Sequence, residues 1–277
     1  LLIEHWPPID PGIFRARDRL RGATVAGGSV LCYGRSTLSL QALAERAAMA
    51  DPSTFVLDLA GKPRPAPFQL RERVYPDIHW YNQNRASNRI YPAVNGIEGL
   101  VIHATQGGST AGALTWWRQA GGGKASAHWI VPDEDEADHG VAVLAVVYES
   151  LAAWHVQNDK TSARIGRRKM INHWTLGVEI VNRQVPDDHF SSWQVAATAE
   201  IARYCWAKYP NFRFVFAHAA VDPARRSDPG AHFDWRQFCA LVTAPSAAPA
   251  PRPERRLAAL TAETIGNRVD GSPYCCG

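Results

Sequence analysis

Three side chains from distant parts of this 277-residue chain could converge on one metal ion. His103 closes the apolar run Leu100-Val101-Ile102-His103, and His218 closes Phe214-Val215-Phe216-Ala217-His218. Asp228 comes ten residues after His218, inside Arg226-Ser227-Asp228-Pro229-Gly230. Two imidazoles at strand ends and one carboxylate on a rigid Pro-Gly turn make a three-ligand zinc site. Such a site leaves the fourth tetrahedral position to water, which marks a catalytic rather than a structural metal. Bound zinc lowers the pKa of that water to about 7, so hydroxide becomes available at neutral pH. Spacing alone leaves the plainer alternatives open: a strand-end histidine that is merely half-buried, and an Asp before Pro-Gly that simply makes the turn.

Glu179 belongs to the same chemistry. It lies in Leu176-Gly177-Val178-Glu179-Ile180-Val181. Strand alternation puts Val178, Ile180 and Asn182 on one side and Glu179 with Val181 on the other. A lone carboxylate on so apolar a strand is costly unless it is paired, neutralised or near a metal. Beside an activated water it would be a general base; a salt bridge to an arginine fits the strand equally well.

The elements that must hold these residues alternate along the chain. Leu100 to His103 reads as a short strand, and Thr110 to Ala120 as a helix ended by Gly121-Gly122-Gly123. Ala127 to Val131, Val141 to Val147 and Leu176 to Asn182 read as strands. Ser192 to Lys208 reads as a long helix capped by Ser191 or Ser192, with Val195, Ala199, Ala202 and Trp206 on one face. Arg213 to Ala217 reads as the last strand. The expected architecture is α/β, a mixed central β-sheet flanked by helices.

Composition sets the boundaries. Lys62-Pro-Arg-Pro-Ala-Pro67 and the Pro/Ala-rich stretch 244–253 read as extended linkers. They divide the chain into residues 1–75, a small N-terminal extension with a helix from Leu38 to Ala50 and a strand from Thr54 to Leu59; residues 76–243, the main domain; and residues 244–277, a Pro/Ala-rich tail. The main domain holds nine of the ten Trp, which marks it as the part that builds the core. It also holds 16 basic and 16 acidic residues, which argues against a nucleic-acid groove. The net excess of +4 therefore comes from the flanks and reads as a solvated basic face or a weak attraction to an anionic surface. Five cysteines without a CxxC pair exclude a thiolate zinc site, and Cys205 follows the helical apolar pattern of a small core residue. No apolar run approaches the ~20 residues of a transmembrane helix, and no basic segment followed by an apolar stretch opens the chain as a signal peptide would.

Five motifs in order carry a family resemblance. They are Val101-Ile102-His103-Ala104-Thr105, Ser126-Ala127-His128-Trp129, Ala153-Trp154-His155, Leu176-Gly177-Val178-Glu179-Ile180, and His218 followed by Asp228-Pro229-Gly230. The lead-in from Ile78-His79-Trp80 through Asn88-Arg89 to Gly96-Ile97-Glu98-Gly99 fits the same pattern. The set resembles the type-2 zinc N-acetylmuramoyl-L-alanine amidases. That superfamily includes phage lysozyme-amidases, bacterial anhydro-muropeptide amidases and animal peptidoglycan recognition proteins. The resemblance spans residues 76–240 and implies an amidase/peptidoglycan-recognition-like fold.

The resemblance also implies roles. His103, His218 and Asp228 would hold Zn2+, and Glu179 would be the catalytic acid/base. Arg226 stands where many members carry Lys; it would stabilise developing negative charge but could not give up a proton. Trp154 and His155 would contact substrate, and His128 would do so or orient the site. The substrate would be peptidoglycan or a muropeptide, cut at the amide between N-acetylmuramic acid and L-alanine, in an extracytoplasmic compartment and by a monomer. Trp116 or Trp117 could stack on sugar, and the acidic run from Asp133 to Asp138 reads as solvated. The alternative is a peptidoglycan-binding protein without catalysis; the complete set of three ligands and Glu179 favours the enzyme.

Overall fold

A computed structural model of the chain describes residues 55–119, 124–136 and 142–245. The expected helix from Leu38 to Ala50, and nearly all of the Pro-rich tail, lie outside them. The chain divides into two compact units, residues 1–243 and 244–277, and the elements below all belong to the first.

Nine strands are present among the described residues: β1 (Val56–Asp58), β2 (Glu72–Val74), β3 (Ala86–Asn88), β4 (Gly99–Ala104), β5 (Trp129–Val131), β6 (Val143–Ala145), β7 (Leu151–Ala153), β8 (Thr175–Ile180) and β9 (Phe214–Ala217). Seven of them form one sheet in the order β1-β9-β4-β8-β5-β6-β2, and β3 pairs with β7 in a separate antiparallel ribbon. The middle of the large sheet, β9-β4-β8-β5, is parallel. Antiparallel pairs join β1 to β9 and β5 to β6, which makes the sheet mixed. The helices are α1 (Ile78–Asn84), α2 (Ala93–Gly96), α3 (Thr110–Arg118), α4 (Ile171–Trp174), α5 (Ser192–Lys208), α6 (His218–Val221) and α7 (Trp235–Thr243).

The central strands are apolar runs because both their faces are covered. On one face Leu100, Ile102, Val178, Ile180 and Val215 pack with Val195, Ala199, Ala202 and Trp206 of α5 and with Phe238 and Val242 of α7. Cys205 is buried in the same cluster, as its place in the helical pattern predicts. On the other face Val101, Phe214 and Phe216 meet Ile171 and Trp174 of α4. Each such side chain stabilises the fold by about 1.5–3 kcal/mol on leaving water. A capping box starts α5: Ser191 Oγ accepts from the Gln194 amide at 3.1 Å, and Gln194 Oε1 accepts from the Ser191 amide at 3.0 Å. The Gln194 amide group also donates to the Val181 carbonyl at 2.8 Å, so the helix start anchors the chain just beyond β8.

The expected boundary at residue 75 does not fall there. β1 is an edge strand of the main sheet, with Val56 opposite Phe216, and β2 closes the other edge against β6. The Pro-rich stretch between them is fastened to the domain rather than acting as a free linker. The Arg64 guanidinium reaches the carbonyls of Trp206 and Tyr209, and of Pro210 at 2.8 Å and Phe212 at 3.3 Å. These carbonyls lie at and beyond the C-terminus of α5, where backbone acceptors have no helical partner and a cation is favourable. The sequence reading catches the composition of the strap but not its anchor.

The acidic run is corrected as well. Glu136 is not a solvated charge: its carboxylate accepts from the Thr110 amide at 2.9 Å and from the Thr110 hydroxyl at 3.0 Å. It thus satisfies an N-terminal donor of α3, while Ser109 Oγ takes the Gly112 amide at 3.1 Å. On α3 Trp117 is core and Trp116 is exposed.

Candidate active site

Three adjacent parallel strands deliver the chemistry at their C-terminal ends, where open α/β sheets place their ligands. His103 and Glu179 are Cα partners across β4 and β8, so their side chains share a face of the sheet. β9 flanks β4 on the other side and runs directly into His218, the first residue of α6. The parity is that of Val101, Phe214 and Phe216, opposite the face covered by α5. Asp228 arrives on the loop after α6, docked by a hydrogen bond of 3.0 Å from the Ala219 amide to its carbonyl.

His103, His218 and Asp228 form the single cluster of three potential metal ligands among the described residues, with their ligating atoms within 4.8 Å of one another. His103 Nδ1 lies 2.8 Å from His218 Nδ1, His218 Nδ1 lies 3.0 Å from Asp228 Oδ2, and His103 Nδ1 lies 3.5 Å from the same oxygen. Ligands of a tetrahedral zinc at about 2.1 Å stand roughly 3.4 Å apart, so the donor set fits one ion. The charge states fit too. Burial, with His218 beside it, pushes His103 down to about 4, so its imidazole is neutral at pH 7. Burial pushes the Asp228 carboxyl up, but His218 and His103 outweigh it and hold the group ionised, well below the usual carboxylate range. Two further buried atoms of the same residues, His218 Nε2 and Asp228 Oδ1, have no hydrogen-bond partner.

Glu179 Oε2 is likewise sealed from solvent and unpartnered. Burial first, and then the negative charge of Asp228, raise its carboxyl well above the ordinary value, while Arg226 pulls it back down. A carboxylate that resists ionisation is a stronger base once ionised, which suits proton transfer near neutral pH.

The family model for N-acetylmuramoyl-L-alanine amidases matches residues 93–231, a span that begins at α2 and takes in all four of these residues. The chain belongs to this family. Among curated amidases it is 24% identical over 179 residues to N-acetylmuramoyl-L-alanine amidase A of Achromobacter lyticus, covering 57% of this chain and 91% of that one. Two solved amidases are similar. Pseudomonas aeruginosa AMPDH3 in complex with an anhydromuramic pentapeptide is 24% identical over 58% of this chain and 64% of its own, with a TM-score of 0.45. Escherichia coli AmiD in complex with anhydro-N-acetylmuramic acid-L-Ala-D-gamma-Glu-L-Lys is 26% identical over 55% and 58%, with a TM-score of 0.43. The chain thus spans somewhat under two thirds of each of these solved amidases.

The remaining residues singled out in this amidase chain take different places. Arg226 is exposed on the loop before Asp228, near enough for its charge to act on Glu179. Trp154 is half-buried and donates its indole N–H to Ser87 Oγ at 2.8 Å, which ties it to the β3–β7 ribbon. His155 is buried behind His103, with Nδ1 3.1 Å from His103 Nε2 and Nε2 3.2 Å from Thr175 Oγ1. His128 is fully buried between strands: its Nδ1 accepts from the Gly177 amide at 2.9 Å, and its Nε2 lies 3.1 Å from the Leu151 carbonyl and 3.0 Å from the Arg89 guanidinium. Both ring nitrogens of His155 and of His128 are therefore engaged inside the protein.

Two residues that lie within the sequence motifs take roles the motifs do not assign. Gly177 sits beneath His155, and a Cβ there would stand 2.5 Å from His155 Cγ. Glycine inside a strand is a known sign of close approach, so the signal was present. Arg89 spans the back of the site, donating to the carbonyls of Asn172 at 3.0 Å, His173 at 3.0 Å and Thr175 at 3.2 Å.

Proposed function

We propose that this protein is a zinc hydrolase that cleaves the amide joining the lactyl group of N-acetylmuramic acid to L-alanine in peptidoglycan or muropeptides, in an extracytoplasmic compartment. The observation that carries the reading is the convergence of His103, His218 and Asp228 within metal-binding distance, with unpartnered Glu179 on the same face of the sheet. His103, His218 and Asp228 would hold the ion, which when bound supplies Lewis acidity toward the amide carbonyl and hydroxide near neutral pH.

The protein's own groups do the rest. Glu179 takes the proton from the attacking water and returns it to the amide nitrogen as the C–N bond breaks, so that the products are a muramic carboxylate and a free L-alanyl amine. Its raised carboxyl favours the first transfer, because a carboxylate with a higher proton affinity is a stronger base toward water. Arg226 adds positive charge at the mouth of the site where the carbonyl oxygen becomes negative. The buried walls around His103 and Asp228 weaken solvent screening and strengthen both effects.

Digestion of purified peptidoglycan with the full chain, followed by mass analysis of the released ends, tests the assignment. A new stem-peptide amino terminus that disappears with a chelator and returns with zinc is expected. Glu179→Gln should keep one zinc per chain and lose about 10²–10⁴ in turnover, the range of a general base. Products cut elsewhere would refute the bond assignment, and full turnover by the Gln variant would refute the base. Binding of peptidoglycan without any release of ends would support the recognition-protein alternative.

A further inference from the structure

We propose that Thr175 and His155 are positioning residues that fix the tautomer of His103, so that its Nδ1 carries a lone pair toward His218 and Asp228. The inference rests on the zinc reading and follows from counting protons along one hydrogen-bonded chain. Thr175 Oγ1 lies 2.7 Å from the Ile171 carbonyl, which can only accept, so the single hydroxyl proton points there. The hydroxyl oxygen is then an acceptor for His155 Nε2 at 3.2 Å, which places the proton of that ring on Nε2. His155 Nδ1 is left bare and faces His103 Nε2 at 3.1 Å, so the His103 proton sits on Nε2. What remains for His103 Nδ1 is a lone pair, aimed at a nitrogen 2.8 Å away and an oxygen 3.5 Å away.

Each ring is a neutral imidazole, the ordinary state of histidine at pH 7, with one proton for two ring nitrogens that both have neighbours. The Nδ1-ligating tautomer of a histidine is set by what its Nε2–H donates to, and such partners are worth about 10–100-fold in metal affinity. Here the acceptor is another imidazole, and that imidazole is itself set by a threonine twenty residues away in sequence, at the start of β8. The Ile171 carbonyl also accepts the backbone N–H of Thr175, so losing the hydroxyl leaves no buried carbonyl unsatisfied. The hydroxyl's specific contribution is the direction it imposes on His155.

Thr175→Val and Thr175→Ser separate this role from packing. Valine keeps the shape and removes the acceptor, whereas serine keeps the acceptor and removes a methyl. Zinc affinity of the full chain, read by competition with a chromophoric chelator, should fall about 10–100-fold for Val and stay within twofold for Ser. Nitrogen-15 NMR of the imidazoles in the metal-free wild type should show His103 protonated on Nε2, a readout that needs neither zinc nor a variant. Equal affinity for Val and wild type, Ser behaving like Val, or His103 protonated on Nδ1 would each overturn the inference. A wild-type chain that binds no zinc would instead overturn the function proposed above, with the NMR spectrum still deciding the tautomer.

Discussion

Gly177→Ala is the sharpest test of how the site is built. An ideal Cβ at this position would sit 2.5 Å from His155 Cγ and 2.9 Å from both Cβ and Cδ2 of the same side chain. Carbon atoms make favourable contact at about 3.5–4.0 Å, so the ring must retreat by about 1 Å. His155 Nδ1 stands 3.1 Å from His103 Nε2, and a shift of that size disturbs this contact. Overpacking of this kind costs about 1–3 kcal/mol. For a domain of this size the loss lowers the melting temperature by about 2–12 °C. Thermal unfolding of the metal-free protein and chelator competition for zinc measure the two effects side by side; both should worsen. A variant that melts within 1 °C of the wild type and binds zinc equally would show that His155 does not rest on β8, and the account of its burial would fail.

Other perturbations probe other links. Arg226→Ala should move the acidic limb of kcat/KM to higher pH: the base works ionised, and the charge of Arg226 is what lowers the Glu179 carboxyl. Because Arg226 is exposed, the shift should be largest at low salt and shrink near 1 M salt, as screening requires; an acidic limb that moves to lower pH would contradict the electrostatics. The acidic limb of the wild type itself should lie above 4.5, because burial and Asp228 oppose ionisation of Glu179. A chain shortened to begin at residue 76 loses β1, β2 and the Arg64 anchor together, and should be recovered as poorly folded protein by circular dichroism. A cooperative transition at the wild-type temperature would restore the boundary that the sequence suggests.

Much of the site is legible in the sequence because its chemistry sits on strongly patterned elements. β4, β8 and β9 are buried on both faces and read as apolar runs, so a histidine or glutamate within or just beyond them stands out. Ser191 or Ser192 marks the start of α5 in the sequence, and the structure makes Ser191 the cap. The edges were harder. The segment from Lys62 to Pro67 has the composition of a linker, and nothing local reveals that Arg64 will find four carbonyls more than 140 residues away. β2 carries Glu72, Arg73 and Val74, exposed on a sheet edge and without an apolar signature. α7 carries one, Trp235, Phe238 and Val242 at helical spacing, but it adjoins in sequence a Pro-rich tail whose composition masks it. The surroundings of His155 depend on a missing Cβ in β8 and a hydroxyl at its first residue, both set by tertiary contact.

The antiparallel pairing of β1 with β9 has a bearing on biosynthesis. Val56 must wait for Phe216, and the loop bearing Asp228 is made later still. Contacts so far apart in sequence are slow to form. A ribosome must therefore release nearly the whole domain before His103, His218 and Asp228 can come together, and the site is complete only as synthesis of the domain nears its close.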